Sequence, residues 1–384
     1  MAHWFLPAIS IKVICGWLVG GLYLYYYSGG DTWNYHTDGM VLAELARTNW
    51  SDYLLSWTNT DYLPSGLIYA DQPRALLMSR MVSVGCLFTQ NNYWLTSSYL
   101  SIISFGGIWY LVQTLDRFFP RTQLAVGIAW LTYPSFVFWS SGILKETIAV
   151  GLMSLLVALT IQFYYRSRRQ RIVPIISWLT AAILLWLIKY YYAALLIPLL
   201  LAITLTRFIP LSWPNIVVRM GLLFISLIAL ATLMHPNLEA GRILSVIVQN
   251  HDTFIRISHA EAVIHFYQLQ PTFSSFLLNT PLAVFSAWYR PFPFEMNATL
   301  AQVAGLENFL LVVISVLSLR KIGIVKVVES NKQLWILATL LFSVLLGVLL
   351  AISTPNFGTL LRYKVAFSPF LLYLLLCLLL QRDN

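Results

Sequence analysis

"FLPAISIKVICGWLVGGLYLYYY", residues 5–27, is long and apolar enough to cross a bilayer as one helix, since the ~30 Å hydrocarbon core needs roughly 20 such residues. It exceeds a signal-peptide core and lacks a small-x-small cleavage site, so it reads as a retained first span. The rest of the chain agrees with it. Of 384 residues 59% are hydrophobic and only 10% charged, with a mean hydropathy of +0.72, whereas soluble domains carry about 25% charge. Further runs at about 92–115, 123–139, 143–165, 172–188, 191–208, 214–234, 303–319, 334–353 and 360–380 predict an all-α, polytopic integral membrane protein of about ten transmembrane helices. Residues 1–384 form one transmembrane domain, with outer loops 28–91 and 235–302. Cys15, Cys86 and Cys377 are scattered in apolar segments without C-x-x-C spacing, which supports neither a disulfide framework nor a zinc site.

Basic residues set the orientation. With a cytoplasmic N-terminus, the inner segments are 116–122, 166–171, 207–213, 320–333 and the tail, which hold twelve Arg and Lys residues from Arg117 to Arg382. The positive-inside rule requires such a bias. The net charge of +9 is therefore a topology signal and no pointer to nucleic acid. Residues 75–89 are apolar but short and contain Arg80, so they read as a juxtamembrane or re-entrant helix. Residues 272–289 are interrupted by Asn279, Thr280 and Pro281 and read as an outer-face element or a hairpin.

On this topology the ionisable residues at span edges gather on the outer side, and such residues are costly enough near lipid to mark a site. "GGDTWNYHTDG", residues 29–39, follows the first span directly and supplies Asp31, His36 and Asp38. Glycines 29 and 30 predict a turn at Asp31; a helix over 31–38 would put both carboxylates on one face. A carboxylate at the mouth of a span suits a general base toward a hydroxyl. A divalent ion such as Mg or Mn at Asp31 or Asp38 is compatible with the pair, though not required. Lys145 and Glu146 open the span after "PSFVFWSSGI", Arg290 and Glu295 lie in "YRPFPFE", and Arg362 and Lys364 start the last span. These cations suit an anionic phosphate or diphosphate. Each also has a plainer role: Asp31 and Asp38 as solvating or capping groups, Lys145–Glu146 and Arg290–Glu295 as ion pairs, Arg362 and Lys364 as headgroup anchors. The outer histidines at 235, 251, 259 and 265 show no zinc-ligand spacing.

The layout resembles the GT-C type of polytopic glycosyltransferase, with an acidic residue just after the first span and interfacial helices in the first outer loop. "FPRTQLAVGIAWLTYPSFVFWSSGILKE", "YRPFPFEMNATLAQVAGLENF" and "NFGTLLRYKVAFSPF" also resemble segments of little-characterised membrane proteins of bacterial polysaccharide synthesis. The resemblance implies sugar transfer from a polyprenyl-phosphate or -diphosphate carrier to a glycan, lipid or protein acceptor, at the extracytoplasmic face of a bacterial inner membrane. Asp31 matches the family's loop aspartate best and Asp38 second; Arg362 and Lys145, with Arg290 and Lys364 behind them, are the implied phosphate ligands, supported by His36, Glu146 and Glu295. Asp31 lacks the adjacent acid that many of these enzymes carry. No D-x-D, P-loop or Gly-rich dinucleotide motif occurs, and the short basic inner loops leave no room for a nucleotide-sugar domain. A polysaccharide polymerase or ligase, a transporter or flippase for a lipid-linked saccharide, and a non-catalytic subunit are the competing readings.

Overall fold

The computed structural model describes residues 1–165, 172–209, 215–234, 238–259, 262–296, 298–322 and 330–380. The basic stretches 166–171 and 323–329, Arg382 and His235 lie outside them. Among the described residues the chain is helical throughout, in the order α1 (Phe5–Tyr25), α2 (Asp31–Thr48), α3 (Trp50–Leu55), α4 (Pro73–Thr89), α5 (Tyr93–Phe118), α6 (Gln123–Gly127), α7 (Pro134–Trp139) and α8 (Lys145–Tyr165). There follow α9 (Ile172–Thr206), α10 (Ile216–Met234), α11 (Ala240–Ile257), α12 (Phe273–Tyr289), α13 (Thr299–Ile322), α14 (Ser330–Ser353), α15 (Phe357–Tyr363) and α16 (Ser368–Leu379). Seven helices among the described residues are long and apolar enough to cross a membrane, or eight if the pair α15–α16, bent by 65°, counts as one. The chain is thus a multi-pass membrane protein.

Two compact units divide it. The first comprises Met1–Pro120, Phe136–Leu159 and Arg168–Ala193; the second comprises Arg121–Ser135, Thr160–Ser167 and Ala194–Asn384. In the first, α1 packs against α5 in antiparallel register: Phe5 meets Phe105 and Trp109, while a Cβ on Gly20 would strike Tyr93. Helices α5 and α8 run parallel instead, because Ser101 Oγ accepts from Gly142 N at 2.9 Å, Ser104 Oγ donates to the Thr147 carbonyl at 2.7 Å, and Gly107 abuts Gly151. Parallel neighbours require the intervening chain to return along their length, about 39 Å for the 26 residues of α5.

The segment expected to make that return, 123–139, is not one helix. It divides into α6, a π-helical turn Ile128–Thr132, and α7. Pro134 is the physical reason: it has no N–H, it clashes with the carbonyl four residues back, and it pushes Tyr133 to an extended ψ of 111°. Lys12, 3% exposed inside α1, then seals the far end of α7. Its ammonium donates to the Ser140 carbonyl, and to Ser140 Oγ at 2.9 Å. Gly142, at φ 77°, turns the chain into α8.

The two runs expected at 172–188 and 191–208 are joined as the 35-residue α9, with one non-helical residue, Lys189, at φ −139° and ψ 71°. Lys189 bonds Glu146 at the start of α8, whereas Arg207, just beyond α9, donates to the Phe163 carbonyl at the end of α8. Were α9 straight, Ile172 would lie more than 50 Å from Tyr165 by the 1.5 Å rise. Seven peptide steps reach at most about 25 Å. The helix therefore folds back at Lys189, and each half is one crossing long.

In the second unit α14 carries α10, α11 and α12, and α16 packs on α13, α14 and the π-helical turn, where Trp130 stands edge-on to Phe370 at 4.6 Å. Residues 272–289, expected to be broken, form the continuous α12. Asn279 turns outward from the helix line to bond both N and O of Tyr267 at 2.9 Å, and Thr280 Oγ bonds the Phe276 carbonyl at 2.8 Å, so the polar residues are satisfied without breaking the helix. Likewise 75–89 lies within α4, docked on α2 and α5. The loop after α11 is tied to the α14–α15 junction through Ile264 N to the Pro355 carbonyl (2.9 Å) and Asn356 Nδ2 to Ser258 Oγ (2.9 Å).

Candidate functional site

The turn at glycines 29 and 30 and the helix over 31–38 both form. Gly30 takes φ 128°, and a Cβ there would meet the Tyr23 ring at 2.9 Å, so the chain leaves α1 sharply and α2 starts at Asp31 itself. Seven residues on, Asp38 lies on the same helix face, and both carboxylates meet one residue, Tyr69. The Tyr69 hydroxyl donates to Asp31 Oδ1 at 3.1 Å, and the Tyr69 amide donates to Asp38 Oδ2 at 3.1 Å.

The two acids then differ in kind. Asp38 is fully buried and also accepts from Ile68 N at 2.8 Å and Ser79 Oγ at 3.2 Å. Three donors fill that carboxylate, which straps the 67–70 turn onto α2 and α4. Asp31 is half-buried, with Tyr69 beside one oxygen. Burial, opposed by Asn34 and reinforced by the Asp31 charge, pushes the Tyr69 hydroxyl up to about 12, so it stays a donor at neutral pH. Asn34 Nδ2 donates to the same hydroxyl at 3.3 Å.

Lys145 belongs to this group. Its ammonium lies 5.6 Å from the Tyr35 ring centre, and Tyr35 lies 5.0 Å from Tyr69. One apolar cluster, including Tyr35, Tyr69, Ala75, Ile143, Ile148 and Ile188, seats all the elements concerned. Glu146 pairs with Lys189 at 2.7 Å, with both side chains buried; the Tyr191 hydroxyl accepts from the same ammonium at 2.8 Å. Arg74 stacks on Tyr190 at 4.0 Å. The first unit thus gathers Asp31, Asp38, Lys145 and Glu146 at one end, and adds Tyr69, Asn34, Lys189 and Arg74. His36 is 3% exposed beneath them, edge-on to Trp33 and Tyr93. Its Nε2 has no bonded partner, and burial lowers its pKa. A cavity of about 550 Å³ in the same unit lies at the opposite end of α1 and α5, between Met1, Phe5, Trp109 and Arg117.

The remaining four residues lie in the second unit. Arg290 closes on Glu295 through Nε at 2.6 Å and lies over the Phe357 ring at 4.8 Å, as the ion-pair expectation has it. Arg362 is half-buried near the Tyr363 ring. Lys364 is 1% exposed, and its ammonium donates to Asn308 Oδ1. Burial of that order excludes the lipid-headgroup anchoring weighed for Lys364. Among the described residues no three His, Cys, Asp or Glu side chains come together as metal ligands.

Sequence reasoning missed Tyr69, Lys12, Glu307 and Asn308, and saw Lys189 only as a turn residue. The lone lysines in apolar runs were the available signal for two of them. No family model, curated protein or solved structure matches the chain.

Proposed function

We propose that the chain is an integral membrane glycosyltransferase of GT-C type. It moves a sugar from a polyprenyl-phosphate or -diphosphate carrier to a hydroxyl acceptor at the extracytoplasmic face of a bacterial inner membrane, with both termini cytoplasmic. The observation that carries this reading is Asp31: a half-buried carboxylate immediately after the first span, oriented by Tyr69 at one oxygen, in the same apolar cluster that seats Lys145. The acceptor oxygen attacks the anomeric carbon and its proton passes to Asp31, while the bond to the carrier phosphate breaks and its electron pair leaves with the phosphate. Lys145 offsets that charge, an electrostatic stabilisation of the leaving group. Asp38 holds the turn that carries Tyr69.

Purified protein in lipid, given a panel of polyprenyl-linked sugars and followed by mass spectrometry, tests the proposal. A glycosidic product formed by wild type, lost in Asp31→Asn and cut at least tenfold in Lys145→Met, supports it. Donor binding without product, unchanged by either substitution, refutes it.

One observation favours a second reading. Lys189 is buried at the break in α9 and Lys364 shortly before the break in the α15–α16 pair, and many secondary transporters build their substrate sites from discontinuous helices. Flux of a lipid-linked saccharide without a new glycosidic bond separates the two.

A further inference from the structure

The second unit encloses a polar cluster that sugar transfer does not use. Glu307 stands in α13, in a helix apolar enough to cross the membrane, and its Oε2 accepts from Ser135 N at 2.9 Å. Its other oxygen, Oε1, is buried without a well-formed hydrogen bond, and the donor beside the carboxylate is the Tyr133 hydroxyl. Two hydroxyls are buried in the same condition, those of Tyr133 and Ser368, at 5% and 2% exposure. They are neighbours: the Tyr133 hydroxyl lies against both the Glu307 carboxylate and Ser368. Lys364, at 1% exposure, faces the same carboxylate, and its ammonium bonds Asn308 Oδ1, whose Nδ2 donates to the Pro291 carbonyl at 2.8 Å.

Unsatisfied buried polar atoms are rare in native proteins, and each one needs a physical cause. Here the three oxygens are loosely partnered with one another in one connected group beside a buried ammonium, so the gain or loss of a proton redistributes hydrogen bonds already within reach. We infer that Glu307, with Tyr133, Ser368 and Lys364, forms a proton-binding site inside the second unit. In the deprotonated state the carboxylate faces the Lys364 ammonium and Tyr133 is the donor available to Oε1. On uptake, one proton from water joins Oε1, which becomes a donor to the Tyr133 or Ser368 oxygen, and the local charge rises by one. Release reverses both steps. Intramembrane carboxylates with a named basic partner are the usual parts of proton relays. Lys364, from the turn between α15 and α16, and Tyr133, from the turn before α7, face Glu307. Arg290 and Glu295, on the turn that Asn308 grips, are paired with each other, and α16 presents Ser368. Tyr133, Lys364 and Ser368 each sit beside a helix break, whereas Glu307 is held inside the continuous α13.

Infrared spectroscopy of the full-length protein in lipid vesicles tests the site. Wild type and Glu307→Gln are titrated between about pH 4 and about pH 9, a range that brackets ordinary carboxyl groups. The expected result is a carboxylic-acid carbonyl band in wild type that titrates as one proton, is absent from Glu307→Gln, and shifts on transfer to D₂O. Tyr133→Phe keeps the ring and removes the partner hydroxyl; it is expected to move the band or its midpoint, by about one pH unit for the midpoint. This second variant decides the matter should Glu307→Gln fail to fold. Identical titrations in wild type and Glu307→Gln, or in wild type and Tyr133→Phe where the first variant does not fold, would overturn the inference.

Discussion

Asp31 and Asp38, seven residues apart on one helix face, separate at the level of single atoms, and substitutions should separate them too. Asp38→Ala leaves the Ile68 and Tyr69 amides without their acceptor, at about one to three kcal/mol for each orphaned group, so a loss of about 2–6 kcal/mol is expected in thermal unfolding in micelles. Asp31→Asn keeps an oxygen for Tyr69 and should leave the melting temperature nearly unchanged while abolishing transfer. His36 gives a pH signature of its own. Its folded pKa lies below the usual value of about 6.5 because of burial, so in the window between the two values the unfolded chain binds the extra proton. Stability is then full above about pH 6.5 and declines as the pH falls toward the lowered folded value. Melting temperatures measured across that window should show the decline in wild type and a flatter curve in His36→Gln. Which carboxylate holds structure was not legible beforehand, because two of the three donors to Asp38 are backbone amides about 30 residues away, which any sequence supplies.

Helix packing in the first unit depends on close approach. A Cβ on Gly107 would lie 2.2 Å from the Gly151 carbonyl oxygen, whereas one on Gly106 meets nothing within 4 Å. Gly107→Ala should therefore separate α5 from α8 and cost about 1–3 kcal/mol. Gly106→Ala, next to it, should be neutral or stabilising by up to about 1 kcal/mol; equal effects in an unfolding assay would contradict the packing described. The fold-back of α9 rests on Lys189. Lys189→Met leaves the Glu146 carboxylate buried without its ammonium, at about 3–5 kcal/mol, and adding Glu146→Gln should recover much of that loss in a double-mutant cycle. Hydropathy located every one of these helices, since lipid exposure imposes apolarity along the whole length. The breaks were harder to read. Pro134 announces one locally, and the lysine between the runs 172–188 and 191–208 marks the other as a turn, but its partner Glu146, 43 positions away, is not legible there.

For the whole chain, the parallel pairing of α5 with α8 and the reversal at Lys189 put Asp31, Lys145 and Lys189 at one end of the first unit, which agrees with alternating crossings through the segment 119–144. Cysteines placed one at a time in a cysteine-free background read this out. Asn59→Cys and Gln268→Cys should react with a membrane-impermeant maleimide in intact cells, and Phe208→Cys only after permeabilisation. Labelling at Phe208→Cys from outside would reverse the second half of α9. The membrane class and most crossings were legible from composition and run length. The grouping into two units was not, because each is assembled from three separated stretches of chain.

The Lys12–Ser140 contact bears on how this protein can be re-engineered. A first span is commonly regarded as an exchangeable anchor that any hydrophobic leader of equal length replaces. Here residues 5–25 carry the one side chain that plugs the end of α7, and the Gly16 position where Ser97 and Ser101 would meet any added Cβ. A chimaera with a foreign anchor would enter the membrane yet lack the peg for that socket, and grafting Lys12 and Gly16 into the foreign helix is the minimal repair.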